Sequence, residues 1–285
     1  MGKVISGHQK LKEPIYIDLR KDIIEPGTVL EFEELHAGTP AVTIWAYEDD
    51  SLGSEVYNSN LLGLEKIKII GPGRDTDTCG VHLYNASFTD FKQLNISEFG
   101  TGLKIGDNTW STVFNNTNIY RCGVALKMKN VKTSGECMRF NSCNFFNSYV
   151  LIESTGEGVT LNFFGCSFDY PTGYFFRLHG ARANLYGCHL EGDVSFMTSY
   201  PIEVGGNSIF KMDGGQIDLR NSIVIRTLSS LFISNNGNIY LDDIRMSEIP
   251  GDALIRQING GDFRVNPAIK INVPKYVKAG SWKRL

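Results

Sequence analysis

The clearest structural signal in this chain is the hexapeptide Phe140-Asn141-Ser142-Cys143-Asn144-Phe145, which returns as Phe163-Phe164-Gly165-Cys166-Ser167-Phe168. Seven copies are predicted, and their fifth positions are Asn95, Asn118, Asn144, Ser167, His189, Gln216 and Asn238. These positions follow one another at steps of 23, 26, 23, 22, 27 and 22 residues. A self-similar period of this length is typical of a solenoid, in which each repeat forms one coil.

The spacing of apolar residues within each copy predicts strands. Apolar and polar residues alternate with period two, and no segment shows sustained helical spacing. The side chains at the first, fourth and sixth positions of each copy are predicted to point inward. Strict alternation would place the third position inside instead of the fourth, so the in–out pattern shifts by one residue between the first and the fourth positions. Two successive residues, such as Asn115-Asn116 or Asn141-Ser142, then point outward. This slip predicts a corner between two strands, formed by residue types that tolerate a left-handed backbone.

A third strand is predicted upstream of each copy. Its inward pairs are Val81/Leu83, Leu103/Ile105, Leu126/Met128, Val150/Ile152, Phe176/Leu178, Ile202/Val204 and Ile223/Ile225. Three short strands per coil predict an all-β parallel β-helix whose coils stack about 4.8 Å apart. Residues of one column then lie above one another, and Cys143, Cys166 and Cys188 are expected to form a buried ladder of free thiols.

These repeats, with the early coil Ile67-Lys68-Ile69-Ile70-Gly71-Pro72-Gly73-Arg74, resemble right-handed, pectate-lyase-like β-helix proteins. The Asn- and Gly-rich corners and the absence of a signal-peptide pattern resemble the bacteriophage tailspike branch in particular. The resemblance covers roughly residues 60 to 260. It implies a single-stranded right-handed parallel β-helix over residues 61–260, an N-terminal capping or lead-in segment over 1–60, and a C-terminal cap or tail over 261–285.

The tailspike resemblance also implies a biological setting. Such a protein would be part of the virion tail, made without a signal peptide in the host cytoplasm, and would form a homotrimer. Its partner in host attachment would be a bacterial surface polysaccharide. No cofactor and no metal ion are expected, and membrane insertion is not expected because no stretch approaches about 20 apolar residues. Nucleic acid is not an expected partner, because no basic face interleaved with aromatic residues occurs.

Candidate chemistry lies in the outward column that follows the sixth position of each copy. Its members are Ser97, Tyr120, Phe146, Asp169, Glu191, Asp218 and Tyr240. Three acids on consecutive coils would have backbones about 4.8 Å or about 10 Å apart. Retaining glycosidases hold two carboxyl groups about 5–5.5 Å apart and inverting ones about 6.5–9.5 Å apart, so this column can supply either arrangement. Close like charges also raise the pKa of one carboxyl, as a general acid requires.

The hypothesis that follows is a polysaccharide depolymerase that acts by acid/base glycoside hydrolysis. Glu191 is predicted to donate the proton, and Asp169 or Asp218 to activate water or attack directly. Aromatic side chains can contact sugar rings. The predicted substrate-binding residues are Tyr120, Phe146, Tyr186, His189, Asp193, Tyr240 and Arg177. The last belongs to another outward column, predicted as His82, Lys104, Lys127, Leu151, Arg177 and Glu203.

Two other functions fit the same sequence. A non-enzymatic adhesin or a structural module of the virion would use these acids and aromatic residues to bind glycan without cleaving it. A polysaccharide lyase would need a base, such as Lys127 or Arg177, near a neutralising group. Stacked outward acids also occur simply as solvated side chains or as cation ligands, so whether the chain is an enzyme stays open at this point.

Overall fold

The computed structural model describes residues 2–47, 62–129, 135–223, 228–246 and 255–265. In these ranges the chain winds into about eight coils of parallel strands, three to a coil, so the predicted all-β parallel β-helix is confirmed. The one helical segment among them is a short 3-10 helix at Val194–Phe196. A search of the described residues for an apolar helix long enough to cross a membrane finds none.

The strands form three faces along the solenoid. Face A consists of Asp90–Lys92, Val113–Asn115, Met138–Asn141, Thr160–Phe164, the first halves of Arg182–Asp193 and Ile209–Arg220, Asn238–Asp242, and Phe263–Val265. Face B consists of His8–Leu11, Val29–Phe32, Lys68–Ile70, Asn95–Ser97, Asn118–Tyr120, Asn144–Phe146, Ser167–Asp169, the second halves of Arg182–Asp193 and Ile209–Arg220, and Arg245–Met246.

Face C forms a separate hydrogen-bonded sheet. It consists of Ile15–Asp18, Pro40–Trp45, Cys79–Leu83, Thr101–Ile105, Val124–Lys129, Val150–Thr155, Tyr174–His179, Ile202–Gly205, Phe232–Asn235 and Ile255–Asn259. Two further short strands, Val4–Ile5 and Ile23–Ile24, pair with each other. Strands that precede residue 60 pair in register with the coils, as Val29 does with Lys68. The predicted C-terminal segment lies largely outside the described residues.

The core is built from ladders of like side chains. Phe91, Phe114, Phe140 and Phe163 are buried and stack with ring centroids 5.2, 4.9 and 5.0 Å apart. Cys143, Cys166 and Cys188 form the next ladder, where their buried thiols are free and donate to carbonyl oxygens of the neighbouring coil at 3.4, 3.1 and 3.4 Å. The predicted thiol ladder is therefore confirmed.

All three corners of the coils include left-handed backbone positions, and those between faces C and A include Asn108 and Ser111. Between faces A and B, Asn116 and Ser142 both have φ 50°, and Gly165 and Gly187 have φ 57° and 59°, as the sequence predicted for this corner. Between faces B and C, the left-handed positions are Glu98, Arg121, Asn147 and Tyr170. Each corner residue projects from the edge of a face, so its side chain lies beside the outward columns.

Along successive coils, the buried side chain at the B–C corner becomes smaller while the buried residue on face C becomes larger. The corner residue shrinks from Phe99 to Cys122 to Ser148, while the residue that it faces on the face C strand of the preceding coil changes from Gly80 to Gly102 to Ala125. A Cβ on Gly102 would lie 3.0 Å from the Cys122 sulfur and 2.6 Å from Ile119, which shows how little space is left. The core thus keeps a similar filling although its residues change.

Three predicted registers are wrong. The seventh copy is not Ser234-Asn235-Asn236-Gly237-Asn238-Ile239, because Ser234 lies on face C opposite Val204. Its place is taken by residues 241–246, since Met212 pairs with Leu241 and Ile217 with Met246. The seventh copy lies farther from the sixth than the regular repeat length suggests, so the sequence alignment placed it too early in the chain.

The second error concerns the strand Val150–Thr155. Val150, Leu151 and Ile152 are all buried, so alternation alone could not set the register. Lys127 and Arg177 both pair with Glu153, which therefore replaces Leu151 in the outward column of face C. The predicted pair Ile223/Ile225 is also wrong, because Phe232 occupies its position opposite Ile202, and residue 225 lies outside the described ranges.

Candidate functional site

The three acids of face B lie on consecutive coils. Asp169 pairs with Glu191, and Glu191 pairs with Asp218, in a continuous parallel register. All three side chains are partly exposed and point outward, because they alternate with buried residues such as Phe168 and Leu190. The predicted alignment of these acids is therefore confirmed, and we refer to them as the acid column.

Two aromatic residues precede the acids in the same column. Tyr120 pairs with Phe146, and Phe146 pairs with Asp169. The two rings are parallel, with centroids 4.7 Å apart and an interplanar angle of 3°. Tyr240 does not belong here, contrary to the prediction: it pairs with Lys211 on face A, because the last coil is shifted.

One cluster within the column brings three ionisable groups together. Asp169, His189 and Glu191 each offer a side-chain oxygen or nitrogen, and these atoms all lie within 4.8 Å of one another. His189 Nδ1 is 3.7 Å from Asp169 Oδ1. His189 reaches the acids because it stands two residues before Glu191 on the same strand and therefore shares its outward side. We call these three residues the acid cluster.

Asp169 is the more enclosed of the two acids in the cluster. Its side chain is 24% exposed, and the hydroxyl of Ser167 is 2.8 Å from both carboxylate oxygens. Burial raises the pKa of Asp169, and the charge of Glu191 adds to this effect. The hydrogen bond from Ser167 and the nearby His189 oppose the rise. The net effect is a carboxyl that holds its proton more tightly than an ordinary aspartic acid.

Glu191 contacts two residues that the sequence analysis did not identify. Arg220 Nη2 donates to Glu191 Oε1 at 3.0 Å, and the Tyr170 hydroxyl donates to the same oxygen. The Arg220 guanidinium carbon also lies 5.1 Å from the centroid of the Tyr170 ring, and Nη2 donates to the Tyr170 hydroxyl. The signal was present in the spacing, since Tyr170 directly follows Asp169 and Arg220 stands two residues after Asp218.

Asp193, predicted to bind substrate, forms hydrogen bonds within the chain. It caps the 3-10 helix Val194–Phe196, where its carboxylate accepts from the backbone N–H groups of Ser195 at 2.9 Å and Ser222 at 3.3 Å. Burial opposes ionisation, but the hydrogen bonds from Ser222 and Ser195 lower the pKa of Asp193 to about 2. Its carboxylate therefore fixes the chain beside the acid column.

A shallow groove of about 580 Å³ leads along face B to the acid cluster. Tyr120, Phe146, Asp169 and Tyr170 line it together with three asparagines of the neighbouring outward column. These asparagines form an amide ladder: Asn118 donates to Asn95 at 2.9 Å, and Asn144 donates to Asn118 at 2.7 Å. The groove thus combines aromatic rings and fixed amides with carboxylates at one end.

Two other residues predicted to bind substrate lie on different faces. Tyr186 belongs to face A, where its ring stacks on that of Phe164. Arg177 belongs to face C and forms ion pairs with Glu153 at 3.2 Å and Glu203 at 3.3 Å. The structure therefore brings Tyr120, Phe146 and His189 together with the acids, whereas Tyr186 and Arg177 stand apart from them.

The acid cluster has the donor set of a divalent-cation site, since it combines one imidazole with two carboxylates. One contact opposes this use. The Arg220 guanidinium lies 3.0 Å from Glu191 and would repel a bound cation. We therefore assign the cluster no metal-dependent role.

Comparison with known proteins gives relatives among phage proteins. No family model matches the chain. The capsule K2-specific depolymerase of Klebsiella phage vB_KpnP_KpV74 is 27% identical over 165 residues, which make up 55% of this chain and 28% of that protein. The chain thus spans well under half the length of this curated relative.

Solved structures share the fold at low sequence identity. The enzymatically active domain of tailspike protein 4 of bacteriophage CBA120 superimposes with a TM-score of 0.71 at 15% identity, over 96% of this chain and 40% of that one. DFA-IIIase of Arthrobacter chlorophenolicus A6, solved in complex with GF2, gives a TM-score of 0.56 at 12% identity, over 96% and 80%. The predicted resemblance to tailspike β-helices is confirmed.

Proposed function

We propose that this chain is the β-helical part of a phage tailspike-type protein that binds a bacterial surface polysaccharide and cleaves it by glycoside hydrolysis. The observation that carries the proposal is the acid cluster, in which Asp169 and Glu191 offer oxygens within 4.8 Å of each other at the end of a groove lined by aromatic rings. The tailspike fold and the partial match to a capsule depolymerase support the same function.

The contacts of the two acids favour distinct roles. Asp169, whose pKa is raised by burial, is suited to donate a proton to the glycosidic oxygen. Glu191, held by Arg220 and Tyr170, is suited to attack the anomeric carbon as a carboxylate. This reverses the assignment made from the sequence, in which Glu191 was the donor.

The spacing also bears on the stereochemistry. Retaining enzymes place their carboxyl groups about 5–5.5 Å apart, and inverting enzymes about 6.5–9.5 Å apart. The short distance between Asp169 and Glu191 favours a retaining reaction with a covalent glycosyl–Glu191 intermediate. Proton donation by Asp169 releases the leaving sugar, and the Asp169 carboxylate then activates the water that frees Glu191. Asp169 with Asp218, two coils away, would instead suit inversion.

A lyase is less well supported. The bases suggested by the sequence, Lys127 and Arg177, lie on face C and form ion pairs with Glu153 at 3.0 and 3.2 Å. Tyr170 is the nearest phenol to the acids, but the Glu191 carboxylate raises the pKa of Tyr170 and so disfavours the phenolate that a lyase base requires. A non-enzymatic adhesin would use the same groove without turnover.

Two further parts of the proposal come from the tailspike resemblance. We propose that the full protein is a homotrimer and that it belongs to the virion tail, where it takes part in host attachment. The acid cluster and the residues described above as lining the groove on face B belong to one chain. Analytical ultracentrifugation tests the oligomeric state.

The test is incubation with purified capsular and lipopolysaccharide glycans from several bacterial hosts. Hydrolysis gives new reducing ends without the ultraviolet absorbance of an unsaturated product, a lyase gives that absorbance, and an adhesin retains the glycan uncleaved. Proton NMR of the first-formed anomer separates retention from inversion. We expect hydrolysis with retention, and expect Asp169→Asn and Glu191→Gln each to lower kcat by roughly 10³-fold or more.

The matched control is Asp90→Asn, which alters a partly exposed outward carboxylate of face A, far from the acid column along the solenoid. It should leave cleavage unchanged. If Glu191→Gln retains the parent kcat on a polysaccharide that the parent cleaves, the proposed site is wrong. Cleavage that yields only unsaturated ends would replace hydrolysis by elimination.

A further inference from the structure

Face A carries a second pair of stacked aromatic residues, separate from the groove. The rings of Phe164 and Tyr186 have centroids 5.1 Å apart with an interplanar angle of 12°. Phe164 is 41% exposed. The other positions of this outward column are polar: Lys92, Asn115 and Asn141 come before the pair, and Asp213 and Asp242 come after it. The two rings are therefore local to these two coils and do not continue a ladder along the face.

Two arginines without a charged partner in the described ranges lie on the same face as the rings. Arg139 is the register partner of Asn162, and Arg182 starts the strand that carries Tyr186. Both arginines are exposed, and neither forms an ion pair with any residue in the described ranges. Lys211 adds a third cation, 5.4 Å from the Tyr186 ring, although it also lies 3.6 Å from Asp213. This local positive surface belongs to a chain whose formal net charge is −3.

Two amides occupy the outward column next to that of the rings, the column to which Arg139 also belongs. Asn184 Nδ2 donates to Asn162 Oδ1 at 2.9 Å, and Asn162 Nδ2 donates to the Met138 carbonyl at 3.2 Å. Both side chains are therefore held in position. No donor to Asn184 Oδ1 is present among the described residues, so this oxygen can accept from a ligand hydroxyl. We call Phe164, Tyr186, Asn162, Asn184, Arg139 and Arg182 the face A surface.

We infer that the face A surface is a second saccharide-binding site, which takes sugar units that bear a carboxylate. Aromatic rings contact the apolar faces of sugars, amides bind hydroxyl groups, and guanidinium groups bind carboxylates with charge-assisted hydrogen bonds. The acid column of face B repels such units, whereas the face A surface attracts them. The inference rests on the proposed function for its choice of a saccharide ligand.

The site stands close to the groove but is distinct from it. Tyr186 and His189 belong to one strand, Arg182–Asp193, which bends at Gly187 from face A to face B. A polysaccharide with acidic units could therefore be held on face A while a neighbouring part of the chain occupies the acid cluster. The site would raise affinity for the polymer without taking part in the cleavage step.

The test uses sodium glucuronate and glucose, which share a pyranose ring and differ in the carboxylate. Each is titrated into the isotopically labelled protein, and the side-chain amide signals of Asn162 and Asn184 are followed by NMR. We expect a saturable shift with glucuronate, with a dissociation constant in the millimolar range typical of a single weak site. Glucose should bind at least tenfold more weakly.

Variants locate the site. Arg139→Gln with Arg182→Gln should weaken glucuronate binding roughly tenfold, and Phe164→Ala should weaken glucuronate and glucose alike. The matched control, Arg121→Gln, removes an exposed arginine from the B–C corner and should leave the shift unchanged. All these side chains are exposed, so retained dispersion of the amide spectrum shows that each variant is folded.

Several outcomes would overturn the inference. They are the absence of a saturable shift, an equal response to glucose, an unchanged affinity in the double arginine variant, or shifts confined to Asn118 and Asn144 in the groove. Glu191→Gln separates the two proposals, because it should abolish cleavage and leave glucuronate binding intact. Polysaccharide cleavage without face A binding overturns this inference alone, and face A binding in a protein that cleaves no glycan overturns the hydrolase alone.

Discussion

Arg220 Nη2 lies 3.0 Å from Glu191 Oε1, although the two residues are 29 positions apart in the chain. They meet because Glu191 pairs with Asp218, and Arg220 follows two residues later on the same strand. Tyr170, from the coil on the other side, donates to the same Glu191 oxygen. Three consecutive coils therefore fix the direction of one carboxylate.

Arg220→Gln should reduce cleavage through its effect on Glu191. We expect kcat to fall by roughly 10- to 100-fold with little change in KM, because a displaced carboxylate loses its alignment with the reacting carbon. Arg220→Lys should recover part of the loss, since only one nitrogen of Arg220 contacts Glu191. Steady-state kinetics on the cleaved polysaccharide measures both values.

Arg121→Gln is the control for Arg220→Gln. Arg121 lies at the B–C corner and likewise pairs with a carboxylate, that of Glu98 at 3.5 Å, but it lies two coils before the acid cluster. Its substitution should leave kcat unchanged. A rise in KM alone for Arg220→Gln would contradict the positioning role and indicate a direct contact with substrate.

Asp169→Asn should change stability in a direction that depends on pH. The pKa of Asp169 is raised in the folded protein from its ordinary value of 3.8. Folding is therefore favoured by the protonated form at low pH, and this contribution is lost as the pH rises through the raised pKa. We expect Asp169→Asn to melt at a higher temperature than the parent at pH 7, and this advantage to shrink as the pH falls through the raised pKa and to vanish well below pH 3.8.

Asp193→Asn provides a control of opposite sign. The pKa of Asp193 is lowered to about 2, so its carboxylate stabilises the fold above the ordinary pKa and this contribution is lost on acidification. Asp193→Asn should therefore lower the melting temperature at pH 7, and the deficit should decrease in acid. Calorimetry of the parent, Asp169→Asn and Asp193→Asn at several pH values measures these melting temperatures. Parallel pH curves for both variants would contradict these assignments.

One of the six cysteines should react with a thiol reagent in the native protein, and the other five should not. All six are free, and Cys137 is the exposed one. Burial raises the pKa of Cys79 and of Cys122 to about 12, and the neighbouring Cys143 thiol, with burial, raises that of Cys166 to about 12. Thiols with a raised pKa form little reactive thiolate. A hydrogen bond from Cys166 lowers the pKa of Cys143, but this side chain is fully buried and therefore closed to a reagent.

Dithionitrobenzoate should therefore modify one thiol of the native protein rapidly and the other five only after denaturation. Cys137→Ser should abolish the rapid phase. Rapid modification of two or more thiols in native Cys137→Ser would show that the cysteine ladder is accessible.

Two glycines of the A–B corners should respond differently to an added side chain. Gly187 has φ 59° and open space where a Cβ would lie, and Asn116 adopts a similar backbone at the same position of an earlier coil. Gly187→Asn should thus change the free energy of unfolding by less than about 1 kcal/mol.

At Gly215, with φ 98°, a Cβ would stand 2.0 Å from the Cys188 carbonyl oxygen. Gly215→Ala should cost roughly 2–4 kcal/mol from strain and steric overlap. Urea unfolding measures both variants. A stable Gly215→Ala protein would mean that this corner can rearrange.

The alignment of the acids could be predicted because a buried apolar column directly precedes them in successive coils. Residues such as Phe168 and Leu190 are buried, and the period-two alternation then places Asp169 and Glu191 outside. The same argument failed for Val150–Thr155, where three successive residues are buried and the period is ambiguous. It also failed in the last coil, where Leu241, Ile244 and Met246 match the apolar pattern better than Ser234, Gly237 and Ile239.

The partners of the acids were harder to predict than the acids. Tyr170 stands at a left-handed corner position, and Arg220 stands at the end of a long strand, so neither belongs to a repeated column of like residues. Their side chains reach Glu191 because they are long, and the reach of a side chain across coils is not encoded in periodicity. The face to which a residue belongs depends on where the chain turns at a corner. Tyr186 precedes the turn at Gly187 and lies on face A, although the sequence analysis grouped it with the acids.

The exchange of volume between Phe99, Cys122 and Ser148 at one corner and Gly80, Gly102 and Ala125 on face C has an evolutionary consequence. These two sites belong to neighbouring turns of the solenoid and should mutate in concert, a bulky replacement at one being accepted only with a smaller residue at the other. Homologues should therefore show inverse size covariation between a face C position and the corner of the following turn, and a transplanted turn should fold only if the turn beside it offers a residue of matching size.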